Sequence, residues 1–148
     1  MTARPGSPSA RTRSPSARTR AEAGLAGLCA ATVVFLAARD LLLPEIRDVE
    51  VWLGFELHGP AALVTAPVHW AIFGAAAWAF WRARPWIWPA AAAYVFYVAA
   101  SHWIWNEVSP NGRGWPVGLL QAAGISLLGV WLLRMRPPSV RRDGSRRV

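Results

Sequence analysis

Residues 60–81 read PAALVTAPVHWAIFGAAAWAFW, a stretch without Asp, Glu, Lys or Arg. Three further apolar stretches occupy residues 24–43, 85–105 and 115–133. Each has about 20 residues, and a helix of that length, at about 1.5 Å per residue, matches the roughly 30 Å hydrocarbon core of a bilayer. The pattern predicts an all-α integral membrane four-helix bundle within residues 22–134, flanked by basic tails at residues 1–21 and 135–148.

The charged side chains predict how the four helices cross the membrane. If the helices alternate in direction, thirteen of the sixteen arginines fall before the first stretch, after the last stretch or in the loop at residues 82–84. Five of the eight acidic residues fall in the other two loops. This is the positive-inside pattern, so a multi-pass protein of the inner or plasma membrane is expected, with both termini cytoplasmic. All sixteen basic residues are arginine, which suggests a GC-rich genome and so favours a bacterial source.

The composition narrows the classes of function. With 54% hydrophobic residues in four blocks, too few polar residues remain to cover a soluble surface. The net charge of +8 would suit nucleic acid, but the arginines follow topology and no nucleic-acid motif accompanies them. The lipid bilayer is therefore the expected partner, and nucleic acid is not. The sequence holds no nucleophile elbow, phosphate loop or zinc-protease motif, which favours a protein that is not an enzyme.

The first apolar stretch follows a repeated basic tail and contains Arg39 near its C-terminal end. The preceding tail repeats SPSARTR at residues 7–13 and 14–20, and is expected to be disordered because it has no apolar position to bury. The apolar stretch resembles a secretory signal, but the large side chains of Phe35 and Leu36 at the candidate cleavage site favour an uncleaved helix. Arg39 is expected to reach the outer headgroups and pair with Glu45 or Asp48.

Residues 44–59 fit two templates at once. Apolar side chains recur at helical spacing, and those of residues 49–57 also alternate as in a strand. A lone strand at a membrane would leave its backbone groups unpaired. We therefore predict a short interfacial helix between spans one and two, with Trp52 at the headgroup level.

Polar residues of the second span share one helical face. If the helix begins near His58, then His58, Thr65 and His69 lie within about 40° of one another on a helical wheel. Pro67 interrupts the backbone hydrogen bonds beside them, so a kink is expected there.

The third span carries a comparable row. Tyr94, Tyr97 and Ser101 follow helical spacing, and His102 flanks them. By depth, a hairpin of spans two and three would bring the three imidazoles into the outer half of one interhelical seam. Glu56 and Glu107 would stand at its mouth.

This histidine cluster suggests a cofactor site of His58, His69 and His102, with Glu56, Thr65, Ser101 and Glu107 around it. Imidazole is a common ligand of haem and transition metals. The signal lacks any close ligand pair, so no cofactor is predicted, and haem or a transition metal remains the alternative. Interhelical hydrogen bonding explains such histidines equally well.

Ten tryptophans suggest an apolar ligand, but most of them map to the two membrane boundaries as aromatic belts, Trp88 among them. Only Trp70 and Trp78 lie inside a span, opposite Tyr94 and Tyr97, and these four rings are the predicted ligand-binding residues.

We therefore expect a non-enzymatic membrane module that binds an apolar ligand or packs with a membrane protein or a second copy of itself. The small residues of the first and last spans permit such packing. The alternative is a haem- or metal-binding redox protein or a small membrane oxidoreductase.

Overall fold

The computed structural model describes residues 17–43 and 49–135. Within them are four helices, α1 (Ala17–Leu42), α2 (Pro60–Trp81), α3 (Ile87–Val108) and α4 (Trp115–Met135). A hairpin of two strands, β1 (Val49–Trp52) and β2 (Phe55–His58), lies between α1 and α2. The helices fall close to the predicted spans, although α1 begins within the segment predicted as a tail. The predictions for residues 1–16, for Glu45 and Asp48 and for residues 136–148 lie outside the described residues.

Three of the described helices are long and apolar enough to cross a membrane: residues 19–42, 60–81 and 115–135. Helix α3 is as long as α2, with 22 residues, but it does not qualify as a candidate membrane helix. Its tyrosines, its tryptophans and the polar group around Ser101, His102 and Asn106 lower its hydropathy. The chain is thus a small protein with three candidate membrane helices, and the predicted third span, residues 85–105, is not confirmed as a membrane helix.

The helices pack as two pairs, α1 with α2 and α3 with α4. A buried apolar cluster joins the pairs near the arginine-bearing loop, and includes Phe80, Ile87, Trp88 and Leu132. Trp88 is fully buried and meets the ring of Phe80 edge to face at 5.5 Å. The expectation that Trp88 belongs to the inner aromatic belt is therefore wrong, because its side chain faces the helix interface.

Glycines of α4 permit the close approach to α3. A Cβ at Gly118 would lie 2.9 Å from Cβ of Asn106, and one at Gly129 would lie 2.9 Å from the ring of Phe96. Both separations are too short for a side chain to fit without movement. These small-residue positions serve contacts within the chain.

The predicted interfacial helix is wrong for residues 49–58, which form an antiparallel hairpin with Val49 opposite His58 and Trp52 opposite Phe55. Leu53 and Gly54 have positive φ angles of 50° and 84°, as a tight type I′ turn requires. The strand alternation of these residues is therefore the pattern that the structure follows. A lone strand would leave its backbone groups unpaired, but here two strands pair with each other.

Candidate ligand-binding site

A pocket of about 360 Å³ lies between the hairpin and helices α2, α3 and α4. It brings together five of the predicted site residues, one from α2 and four from α3. Its lining consists of Val51, His69, Tyr94, Tyr97, Val98, Ser101, His102, Trp105 and Gln121. The volume lies within the range of sites for small molecules.

His69 is held from two sides. Its Nδ1 lies 3.0 Å from a carboxylate oxygen of Glu50 on β1, and its ring stacks on Trp52 with 4.4 Å between centroids. Only 17% of the His69 side chain is exposed. The hairpin therefore sets the position and orientation of this imidazole. The helical periodicity of α2 could not predict the contact with Glu50, because Glu50 belongs to a different element.

A buried charge network stands behind Glu50. Arg39 near the end of α1 lies 2.7 Å from Glu50 and 2.6 Å from Asp40, and the indole of Trp70 donates a hydrogen bond of 2.9 Å to Asp40. Asp40 is 2% exposed and Glu50 is 6% exposed. Both carboxylates are thus paired, as buried charges must be. The guanidinium of Arg39 forms ion pairs with both carboxylates and is therefore not available to a ligand in the pocket.

His102 and Ser101 face different surroundings. Nδ1 of His102 lies 3.0 Å from the carbonyl oxygen of Val98. The carbonyl can only accept, so this nitrogen carries a proton and donates. The hydroxyl of Ser101 is buried, with the residue 7% exposed, and finds no hydrogen-bond partner within the described chain. A buried hydroxyl in a pocket wall without a partner is costly, and a bound ligand could supply one.

Two tyrosines cross the pocket. The rings of Tyr94 and Tyr97 stack with 5.8 Å between centroids, and Tyr94 meets Phe73 of α2 edge to face. The hydroxyl oxygen of Tyr97 accepts a hydrogen bond of 3.1 Å from the backbone N–H of Leu53. Tyr97 therefore ties the hairpin turn to α3 and closes one side of the pocket.

Glu56 fastens the second strand to α3. One of its carboxylate oxygens accepts hydrogen bonds of 2.8 Å from the Ser109 hydroxyl and from the indole of Trp105. These two hydrogen bonds, with a smaller contribution from His58, lower the pKa of Glu56 below its ordinary value. Glu56 does not line the pocket itself, but it is hydrogen-bonded to Trp105, which does.

Three other predicted residues lie outside this pocket. His58 belongs to β2, not to α2, and its side chain is 63% exposed, with Nε2 3.6 Å from Glu56. The predicted polar face of α2 therefore does not include His58, because the helix begins at Pro60. Thr65 donates a hydrogen bond to the carbonyl of Ala61 within its own helix. Glu107 lines a separate pocket.

The predicted tryptophans also lie elsewhere. Trp70 belongs to the charge network through Asp40, and Trp78 is half exposed, with the guanidinium of Arg84 5.4 Å from its ring centre. Within residues 17–43 and 49–135, no group of three or more His, Cys, Asp or Glu side chains is placed to hold a metal ion. Trp105 continues the row of Tyr94 and Ser101 at helical spacing but was missed because it was assigned to an aromatic belt. Gln121 was missed because it lies on a different helix from these rows.

A second pocket of about 390 Å³ lies deeper between all four helices. It is almost entirely apolar, and its walls include Leu28, Phe73, Ala91 and Leu128. Tyr94 lines both pockets, so its ring lies between them. The polar pocket lies beside the hairpin, and the apolar pocket extends toward the arginine-bearing loop.

No known family model, curated protein or solved structure matches this chain.

Proposed function

We propose that this protein is a non-enzymatic membrane module that binds an amphiphilic molecule with an apolar chain. The apolar chain occupies the pocket between the four helices, and the polar end reaches the pocket of His69 and His102. The proposal includes four membrane crossings in a bacterial inner or plasma membrane, with both termini in the cytoplasm. The arginine distribution supports this topology.

One observation carries the proposal: the two pockets share Tyr94. We infer that they join at this ring into one apolar cleft that ends in hydrogen-bonding groups, which is the shape and polarity of an amphiphile. Binding sites between the helices of a bundle are commonly of this kind, mostly apolar with a few convergent polar groups.

The test is to purify the full chain from its native membrane in mild detergent and to measure copurifying molecules by native mass spectrometry and organic extraction. Ala91→Leu narrows the apolar pocket and should lower the retained amount at least about fivefold, since overpacking costs about 1 kcal/mol or more. The control is Ala93→Leu, the same change at an exposed position of α3 outside the pocket lining. Equal retention by the two variants would contradict the proposal.

The arrangement of the two histidines favours one alternative, a haem- or metal-binding membrane redox protein. His69 and His102 line one pocket, and a carboxylate at Nδ1, as Glu50 provides for His69, often orients a metal-binding imidazole. An absorption spectrum and elemental analysis of the purified protein test it. A Soret band or a stoichiometric metal, lost in both His69→Ala and His102→Ala, would replace the binding module with this function.

A further inference from the structure

We propose that the polar pocket recognises an uncharged head group that carries a hydroxyl, either an alcohol or a phenol. This inference rests on the proposed function, because it assigns the chemistry of the polar end of the same amphiphile. It is carried by the hydrogen-bonding state of His69, His102 and Ser101 and by the charges that surround them.

The two imidazoles offer acceptors to the pocket. In His102, Nδ1 donates to the carbonyl of Val98, so the neutral ring has its lone pair on Nε2. In His69, the carboxylate of Glu50 lies 3.0 Å from Nδ1, which favours the proton on that nitrogen and again leaves the lone pair on Nε2. A ligand hydroxyl can donate to such a nitrogen.

The serine supplies the complementary group. Ser101 has a buried hydroxyl without a hydrogen-bond partner in the described part of the chain. This hydroxyl can donate to the ligand oxygen while an imidazole accepts the ligand proton. A ligand hydroxyl uses both functions, whereas an ether oxygen can only accept.

The surrounding charges disfavour an anionic head group. Apart from the two histidines, no basic side chain of the described residues lines the pocket, and Arg39 is already paired with Asp40 and Glu50. The carboxylate of Glu50 contacts the lining residue His69, and the carboxylate of Glu56 accepts a hydrogen bond from the lining residue Trp105. A phosphate or carboxylate in the pocket would meet these negative charges with no arginine among the described lining residues, and its desolvation would be uncompensated.

The experiment compares three probes that share one long alkyl chain: a para-alkylphenol, its methyl ether and the alkyl phosphate. Each is titrated into the full chain in neutral nanodiscs, and the dissociation constant is measured from tryptophan fluorescence. The phenol should bind about three- to tenfold more tightly than the ether, which corresponds to one hydrogen bond. The phosphate should bind most weakly. A long-chain aliphatic alcohol and its methyl ether, measured in the same way, show whether the favoured hydroxyl is phenolic or aliphatic.

Ser101→Ala should weaken the binding of the phenol and of the ether alike, by about three- to tenfold, because the oxygen of either probe can accept a hydrogen bond from Ser101. The preference for the phenol should remain, since it depends on the imidazole acceptors, and the unfolding temperature should not fall, because the hydroxyl has no partner in the described part of the chain. Ser126→Ala on α4 lies outside both pocket linings and should leave both affinities unchanged.

Equal binding of phenol and ether, or tightest binding of the phosphate, would overturn the inference. So would Ser101→Ala if it left the affinities of both probes unchanged. Failure of the head group inference is distinguishable from failure of the proposed function. If the ether binds as tightly as the phenol and Ala91→Leu weakens both, the amphiphile site stands and only the hydroxyl assignment fails. If no probe binds, the proposed function fails as well.

Discussion

Asn106 is the residue that organises the loop between α3 and α4. Its side chain is 2% exposed, and its amide nitrogen donates to the Gln121 side chain and to the carbonyl of His102. Its amide oxygen accepts from the backbone N–H of Arg113. Because Gln121 lines the polar pocket, Asn106 connects the loop to the site, and its own polar groups are all satisfied.

Asn106→Ala should lower the free energy of unfolding by about 1–3 kcal/mol, because it leaves the Arg113 N–H and the Gln121 side chain without partners in a buried place. Thermal unfolding in detergent measures this effect. Asn111→Ala is the control, since Asn111 is exposed in the same loop and its backbone bond to Ser109 survives the change. Equal unfolding temperatures for the two variants would show that the Asn106 bonds do not stabilise the loop.

Glu56 should make the attachment of the hairpin depend on pH. Its pKa is lowered in the folded protein from an ordinary value of 4.5, mainly by the hydrogen bonds from Ser109 and Trp105. The stabilisation by ionised Glu56 is therefore complete above pH 4.5 and is lost as the pH falls through the lowered folded-state pKa.

Thermal unfolding of the wild type and of Glu56→Gln between pH 7 and pH 3 tests this dependence. The variant should unfold at a lower temperature near pH 7, and the difference between the two proteins should shrink below pH 4.5. A difference that stays constant to pH 3 would mean that the charge of Glu56 does not stabilise the docked hairpin.

At the scale of elements, the hairpin determines the character of the site. It supplies Glu50 and Trp52 to His69, Glu56 to Trp105 and a backbone N–H to Tyr97. Its turn lies directly on α3, since a Cβ at Gly54 would lie 2.5 Å from Cβ of Ile104. An isolated two-stranded hairpin is only marginally stable in water, so these contacts with the helices are what hold it.

Gly54→Ala should detach the hairpin. It combines a strained φ of 84° with a clash against Ile104, whereas Gly59→Ala has a positive φ of 55° and nothing within 4 Å of the new Cβ. We expect about 1 kcal/mol of destabilisation from Gly59→Ala and at least twice that from Gly54→Ala. Hydrogen exchange of the Leu53 amide reports on docking. Equal protection in both variants would contradict the close contact of the turn with α3.

At the scale of the whole molecule, the positions of the two pockets follow from how two helix pairs are assembled. Helices α1 and α2 form one pair, α3 and α4 the other, and the apolar cluster around Trp88 joins them at one end. The hairpin joins α2 and α3 at the opposite end. The two pockets lie between these junctions: the apolar pocket toward the Trp88 cluster and the polar pocket beside the hairpin. The proposed crossing of α3 places the loop between α3 and α4 on the same side of the membrane as the polar pocket.

Cysteine labelling in inverted and right-side-out vesicles tests the crossing of α3. In a Cys29→Ala background, single cysteines at Ser16, Ala83 and Ser139 should all react from the cytoplasmic side. A cysteine at Asn111 should react from the opposite side. If α3 does not cross, Ala83 and Asn111 will label from the same side and the two terminal positions from opposite sides.

The sequence alone determined the helical membrane segments, because apolar runs of about 20 residues have few other ways to bury their side chains and satisfy their backbone groups. Helical periodicity also grouped Tyr94, Tyr97 and Ser101 correctly beside His102, since neighbours on one helix keep their spacing in any fold.

Only the tertiary structure decided what surrounds those residues. Residues 49–57 satisfied helical and strand periodicity equally, and the choice depended on pairing between two strands and on contacts with α3. The same contacts removed His58 from the site and brought Glu50 to His69. Periodicity describes one element at a time, whereas the partners of His69 come from a different element, whose position is decided by long-range packing.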